Sequence, residues 1–168
     1  LSHQGVSVST VEHFLAACSG LHLDNLTIYL SGPEIPIMDG SSSNFYFLLK
    51  SIGVVDQEQE VSVIMGSSPL EVVQDDAYIR YTPATKLSID YTLTYDHPWL
   101  SAASHFYYDD HMDGFSSLAR SRTFGFVSQL EELRSKGFAK GASIENTLGL
   151  TDSGCVEGSQ LRYRDECV

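Results

Sequence analysis

In the first twenty residues, apolar side chains recur at helical spacing. Val11, Leu15 and Cys18 form one stripe, Ser9 stands ahead of it as an N-cap with Glu12 three residues on, and Gly20 closes it. This spacing predicts a helix over residues 10–19. Residues 25–30 (NLTIYL) read as a strand stopped by the turn Ser31-Gly32-Pro33, and Asp39-Gly40-Ser41 then introduces a second helix over residues 45–50. Around Asp56 the pattern lapses into a polar, acidic stretch, which predicts a linker at 56–60 between a unit at 1–55 and another at 61–168. In the second unit residues 61–65, 77–81 and 86–95 read as strands. The last of them alternates Leu87, Ile89, Tyr91, Leu93 and Tyr95 on one face, the mark of an antiparallel sheet with one wet side, and Asp75-Asp76 and Pro83 supply turns. A further strand at 105–108, a short helix at 115–119, the run Arg122-Thr123-Phe124-Gly125-Phe126 and a helix at 128–136 ended by Gly137 complete an α+β pattern.

Composition narrows the class. With 168 residues, 42% of them hydrophobic, the chain makes one ordinary globular domain or two small ones. A formal charge of −12, from 10 Lys and Arg against 22 Asp and Glu, repels phosphate backbones and anionic bilayers. Nucleic acid is therefore not an expected partner. A single anionic small molecule is still admissible, because a few cationic side chains and helix N-termini can hold one or two phosphates. Cys18, Cys155 and Cys167 are odd in number and lack CxxC spacing, which fits a reducing cytoplasm. No apolar run approaches the ~20 residues of a membrane span, and no basic-then-apolar leader is present. The chain opens without Met and stops at Asp165-Glu166-Cys167-Val168, which reads as the first turn of a helix capped by Asp165. Both ends are expected to be cut.

The stretch Ser9-Thr10-Val11-Glu12-His13 carries the most chemical information, since it sets a carboxylate and an imidazole side by side at a helix mouth. Two readings stand. In one, Ser9 and Glu12 form a capping box and His13 is an ordinary polar residue. In the other, His13 is a metal ligand and Glu12 the base for the metal's water, whose pKa zinc would lower to ~7. The other histidines, His3, His22, His97, His105 and His111, do not fall at the helical spacing of a zinc site, and HExxH is absent. The ligand-rich loop from His105 through His111 to Asp113 reads as solvated side chains, as do the paired carboxylates Asp109-Asp110 and Glu131-Glu132. GxxxxGK[ST], GxGxxG and GxSxG do not occur. Leu130, Leu133 and Phe138 suit either a core stripe or the lining of an acyl-chain channel.

Four strings in order, VSTVEH at 8–13, LDN at 23–25, GPEIPIMDGS at 32–41 and RTFGF at 122–126, resemble the UDP-3-O-acyl-N-acetylglucosamine deacetylase family. His97-Pro98, residues 137–146 and Leu161-Arg162-Tyr163 extend the resemblance over nearly the whole chain. It implies two small α+β domains of similar topology, each a mainly antiparallel sheet, with helices packed between the two sheets and the active site in the cleft between domains. The chain would hold the C-terminal part of the first domain and the N-terminal part of the second. The implied activity is zinc-dependent hydrolysis of the acetamide of a UDP-sugar lipid precursor in lipid A synthesis, by a cytoplasmic, monomeric enzyme.

By the same resemblance Glu12 is the general base, His13 the first zinc ligand and Thr123 the donor to the oxyanion. Phe124, Gly125, Leu130, Leu133, Phe138, Ala139, Ser143, Ile144 and Thr147 form or support the acyl-chain passage. The chain departs from the family in three places. The other two zinc ligands, a His and an Asp, fall beyond Val168, as does the family's acid histidine, so the chain alone is expected to be inactive and to hold zinc weakly. Ala139 stands where a small or sulfur-bearing residue is common, and Gly141-Ala142 replaces paired glycines. The rival reading is a binding or structural module with the same fold and no metal.

Overall fold

A computed structural model describes residues 1–100, 104–109, 114–164 and 166–167. The elements follow as β1 (Ser2–His3), β2 (Val6–Ser7), α1 (Glu12–Gly20), α2 (Ser43–Ile52), β3 (Leu70–Gln74), β4 (Ala77–Tyr81), β5 (Ser88–Leu93), β6 (Ser104–Asp109), α3 (Phe115–Leu118), β7 (Phe124–Phe126), a 3₁₀ turn at Val127–Gln129, α4 (Leu130–Ser135), β8 (Leu148–Thr151) and β9 (Gly154–Cys155). The class is α+β, with small sheets in which every pairing but β7–β8 is antiparallel.

The β3–β4 hairpin turns at Asp75-Asp76, as the sequence predicts. Asp75 takes a φ of 52°, which Asp tolerates better than most residues, and Gln74 pairs with Ala77 across the turn. That local closure explains one correction. The apolar run 61–65 forms no strand; residues 70–74 do, because a two-residue turn gives them an immediate antiparallel partner, whereas 61–65 meets no ladder among the described residues. Residues 25–30 likewise run exposed and unpaired with any strand, although their composition favours β structure. The predicted linker at 56–60 falls within an irregular exposed stretch, 53–69. The anticipated single antiparallel sheet is two separate hairpins, β3–β4 and β5–β6.

Two apolar clusters hold the described chain. Ala17 of α1, Tyr46 of α2 and Ala119 pack together, with Phe45, Leu21 and Phe115 against them. The approach of α3 to α1 is close: the Phe115 ring lies over Gly20, where a Cβ would stand 2.1 Å from it. The second cluster gathers Leu148, Leu150 and Cys167, flanked by Trp99, Phe124, Phe126 and Leu161. In β8 the buried Leu148 and Leu150 alternate with Gly149 and Thr151, the period-2 burial of a strand. Four residues with a glycine among them give too short a pattern to read from sequence, and β8 was not predicted.

Candidate active-site cleft

A cleft of about 420 Å³ opens between the two clusters. One wall is the start of α1, with Glu12, His13 and Ala16. The other consists of Tyr91 and Leu93 of β5, Tyr95, and the segment from Ser121 to Phe124, while Phe115, Leu118, Ser42, Glu166 and Cys167 line it between them. Glu12 is exposed and His13 half-buried. The structure thus brings Glu12, His13, Thr123 and Phe124 onto one cavity. Of the face predicted from the alternation of 87–95, Tyr91, Leu93 and Tyr95 line it, whereas Leu87 and Ile89 are exposed and do not.

The capping-box reading of Ser9 and Glu12 is overturned. The residue ahead of α1 is Val11, and no side chain caps the helix. Ser9 instead turns to residues 33–35: its hydroxyl donates to the Pro33 carbonyl, its N–H donates to the same oxygen at 2.9 Å, and Ile35 N–H donates back to the Ser9 carbonyl at 3.1 Å. Thr10, between them, has a φ of 54°, a left-handed conformation that a β-branched residue rarely adopts, and its hydroxyl donates to Glu34 Oε1 at 2.5 Å. The physical reason is pairing. The parallel bridge of Ser9 to Glu34 gives the backbone more hydrogen bonds than one cap would, and it leaves the mouth of α1 facing the cleft. Glu12 then sits in the first turn, where a carboxylate is favoured by the helix dipole, without being used as a cap.

Thr123 is held on both sides of its backbone. Its N–H donates to the Gly40 carbonyl at 2.7 Å and its carbonyl accepts from Leu148 N–H at 2.9 Å. Behind it lies an ionic network that the sequence reading missed. Arg122 donates through Nε at 2.6 Å and Nη2 at 3.0 Å to the two oxygens of Glu166, and through its backbone N–H to the same carboxylate at 3.3 Å. Glu166 also accepts from Arg162 N–H at 2.6 Å, and the Arg162 guanidinium reaches Asp39 at 2.8 Å. Asp39 in turn accepts from the Ser41 hydroxyl at 2.8 Å. Burial works to raise the Glu166 carboxyl, but the hydrogen bonds and charge of Arg122 outweigh it and hold the group below the usual carboxylate range. Asp39 is held low against the same opposing burial by Ser41 and Arg162. The signal was present, since Arg122 stands in the RTFGF string and Glu166 follows Arg162 at helical spacing. A charge's burial, however, is not legible without its partner.

The remaining predicted residues lie elsewhere. Gly125 pairs with Gly149 inside the β7–β8 ladder. Leu130 and Leu133 are on α4, and Phe138, Ala139, Ser143, Ile144 and Thr147 are on the crossover that follows it, off the cleft wall. Phe138 and Ile144 are 64% and 54% exposed, and Ala139 has a φ of 52°. Ser143 and Thr147 are tied into one turn by Asn146, whose Oδ1 accepts from Ser143 N–H and from the Thr147 hydroxyl, both at 2.9 Å. On the outer hairpin, His105 Nε2 sits 2.9 Å from Asp90 Oδ1, an exposed pair. Asp110, His111, Asp113 and the proposed helix cap Asp165 lie outside the described residues.

The donor set bears on a metal. His13 is a suitable ligand in the cleft, yet among the described residues no group of three or more His, Cys, Asp or Glu converges as a cage. Glu166 is committed to two arginines. Burial pushes the Cys167 thiol up to about 11, so it is protonated at neutral pH and packs as an apolar residue. Of the cleft's donors only Glu12 and His13 are therefore available where a catalytic zinc takes three.

Comparison with known proteins decides the family. A family model described as UDP-3-O-acyl N-acetylglycosamine deacetylase matches residues 1–168. The chain belongs to this deacetylase family. Two proteins named UDP-3-O-acyl-N-acetylglucosamine deacetylase show how it aligns with the family's members. It is 37% identical to the one from a Nitratiruptor species over 100% of the chain and 56% of the relative. It is 36% identical to the one from Francisella tularensis subsp. tularensis over 98% of the chain and 58% of the relative. The chain thus spans little more than half the length of the deacetylases it matches. No helix among the described residues is long and apolar enough to cross a membrane.

Proposed function

We propose that the complete protein carrying this chain hydrolyses the acetamide of a UDP-3-O-acyl-N-acetylglucosamine, releasing acetate and a free amine, as a zinc-dependent, cytoplasmic and monomeric enzyme of lipid A synthesis. The observation that carries the reading is the cleft itself, which sets Glu12 and His13 at the open mouth of α1 on the same cavity as Thr123. Family membership and the printed names of the relatives support the substrate class.

In this reading His13 supplies one ligand and the others come from outside the described residues. A bound zinc would supply an activated water and a polarised carbonyl. The chain's own residues do the rest. Glu12, exposed at the cleft mouth and used by no cap, accepts the proton of the attacking water, while the proton for the leaving amine comes from the acid histidine that the resemblance puts beyond Val168. The Thr123 hydroxyl donates to the oxygen on which charge develops, a contribution worth roughly 3 kcal/mol when the donor is fixed beforehand. Its backbone, held at both N–H and carbonyl, provides that fixation. The apolar side chains of the crossover, Leu130, Leu133, Phe138 and Ile144, with Ala139, Ser143 and Thr147 shaping the turn, form the acyl-chain passage that begins at Phe124 and Gly125. The division into 1–55 and 61–168 joined at 56–60 belongs to the same reading, with α3 of the second unit packed on α1 of the first.

Acetate release by the complete protein tests the proposal, measured with zinc content for the native form and Glu12→Gln. Zinc binding by both with turnover lost only in the variant is the expected result. Absence of both metal and turnover in the native form would favour the rival, a module that keeps the fold without chemistry.

A further inference from the structure

The two residues before Thr123, Ser121 and Arg122, are held by one segment of chain, 160–166. The Ser121 hydroxyl bonds the Tyr163 hydroxyl. Arg122 Nη2 donates to the Gln160 carbonyl at 2.7 Å, and Arg122 gives three further hydrogen bonds to Glu166. The Glu166 side chain is 0% exposed and that of Arg122 is 8% exposed, so the pair is fork-to-fork and out of water. Thr123 is then bound to Gly40 and Leu148 through its main chain. The Thr123 main chain is thereby held at both its N–H and its carbonyl, and the residue immediately before it is held by Glu166.

We propose that Glu166, acting through Arg122, is a positioning residue for Thr123, setting the angle at which its hydroxyl meets the reacting oxygen. This rests on the reading of Thr123 as the oxyanion donor. The pair is suited to the task because a displacement of about 1 Å at a reacting group costs on the order of 10²-fold in rate. A bidentate pair also fixes the mutual orientation of two planar groups more tightly than a single hydrogen bond does. The network continues through Arg162 to Asp39, beside the Gly40 carbonyl that receives the Thr123 N–H. The Gly40 anchor of Thr123 and the grip on the preceding Arg122 are therefore joined by one connected set of charges.

The test is a double-variant cycle in the complete protein, with acetate release from UDP-3-O-acyl-N-acetylglucosamine as the probe reaction. Glu166→Gln keeps the shape and removes the charge and one acceptor. It is expected to lower kcat about tenfold or more, with KM changed less than about twofold. Glu166→Gln combined with Thr123→Val is expected to be no slower than Thr123→Val alone within about twofold, since nothing is left to position. If the two effects multiply, or if Glu166→Gln loses KM and not kcat, the positioning role is overturned and the oxyanion reading survives. If Thr123→Val itself leaves kcat intact, the oxyanion reading falls and this inference with it. Should Glu166→Gln fail to fold, Arg122→Lys, which retains the positive charge and gives up the fork, takes its place in the same cycle with the same expected and refuting outcomes.

Discussion

Substituting Gly40 by Ala tests the frame of the cleft independently of any chemistry. Gly40 has a φ of 78°, and a Cβ built there would stand 1.8 Å from the Asn146 carbonyl oxygen and 2.7 Å from its carbon, both main-chain atoms that cannot rotate away. The left-handed backbone alone costs an alanine about 1 kcal/mol. Inserting a methyl into filled space adds about 1–3 kcal/mol. Backing away from Asn146 relieves the clash only by drawing the Gly40 carbonyl off the Thr123 N–H, a loss of about 1 kcal/mol. The expected destabilisation is therefore roughly 3–5 kcal/mol, a shift in folding equilibrium on the order of 10²-fold or more. Gly137→Ala is the control. Its φ of 89° is as demanding, but the nearest atom to its Cβ is the end of the Lys140 side chain at 3.9 Å, so only the conformational cost of about 1 kcal/mol applies. Urea unfolding of the complete protein, compared at equal slope, measures both. If Gly40→Ala is no more costly than Gly137→Ala, the close packing of Gly40 on Asn146 is refuted.

Glu12→Ala in the complete protein is expected to leave zinc content nearly intact and to lower turnover by roughly 10²-fold or more, read by metal analysis beside acetate release. Thr123→Val is expected to lower kcat more than it raises KM, by a steady-state comparison of the two constants. Glu166 and Asp39 have pKa values below their unfolded ones, so their contribution to stability is present at neutral pH and fades as pH falls below about 4. Urea midpoints from pH 3 to 7 should therefore drop on the acid side in the native form and drop less in Asp39→Asn with Glu166→Gln. Phe138→Ser is expected to raise KM for long-acyl substrates and leave short-acyl ones within about twofold, a contrast that vanishes if the crossover does not meet the acyl chain.

What the sequence made legible divides along a physical line. Local signals held. The stripe of Val11, Leu15 and Cys18 marks α1, whose start the structure moves to Glu12, and Asp75-Asp76 marks the hairpin, because each depends on a few neighbouring residues. Signals that need a distant partner failed in both directions. Residues 61–65 and 25–30 have strand composition without a ladder, while Leu148–Thr151 gains one from Phe124–Phe126 some twenty residues away in the chain. The capping box failed for the same reason: Ser9 had a better partner at Pro33, which no window around residue 9 contains.

The candidate site shows the same division more sharply. Glu12 and His13 could be named because they are adjacent, and their meeting with Thr123 was reached only through the resemblance of whole strings, since more than a hundred positions separate them. Nothing local distinguishes Arg122, Asp39, Arg162 and Glu166 from surface charges, and buried ion pairs are rare enough that a sequence reader sets them aside. Yet leaving one member of such a pair without its partner costs far more than removing a surface charge, about 3–5 kcal/mol. The residues that hold the cleft in shape are thus those a chain-order reading undervalues most. The network also joins Asp39, beside the Gly40 carbonyl that receives the Thr123 N–H, to Arg162 and Glu166, so the contact on Thr123 and the grip on Arg122 belong to one set of charges.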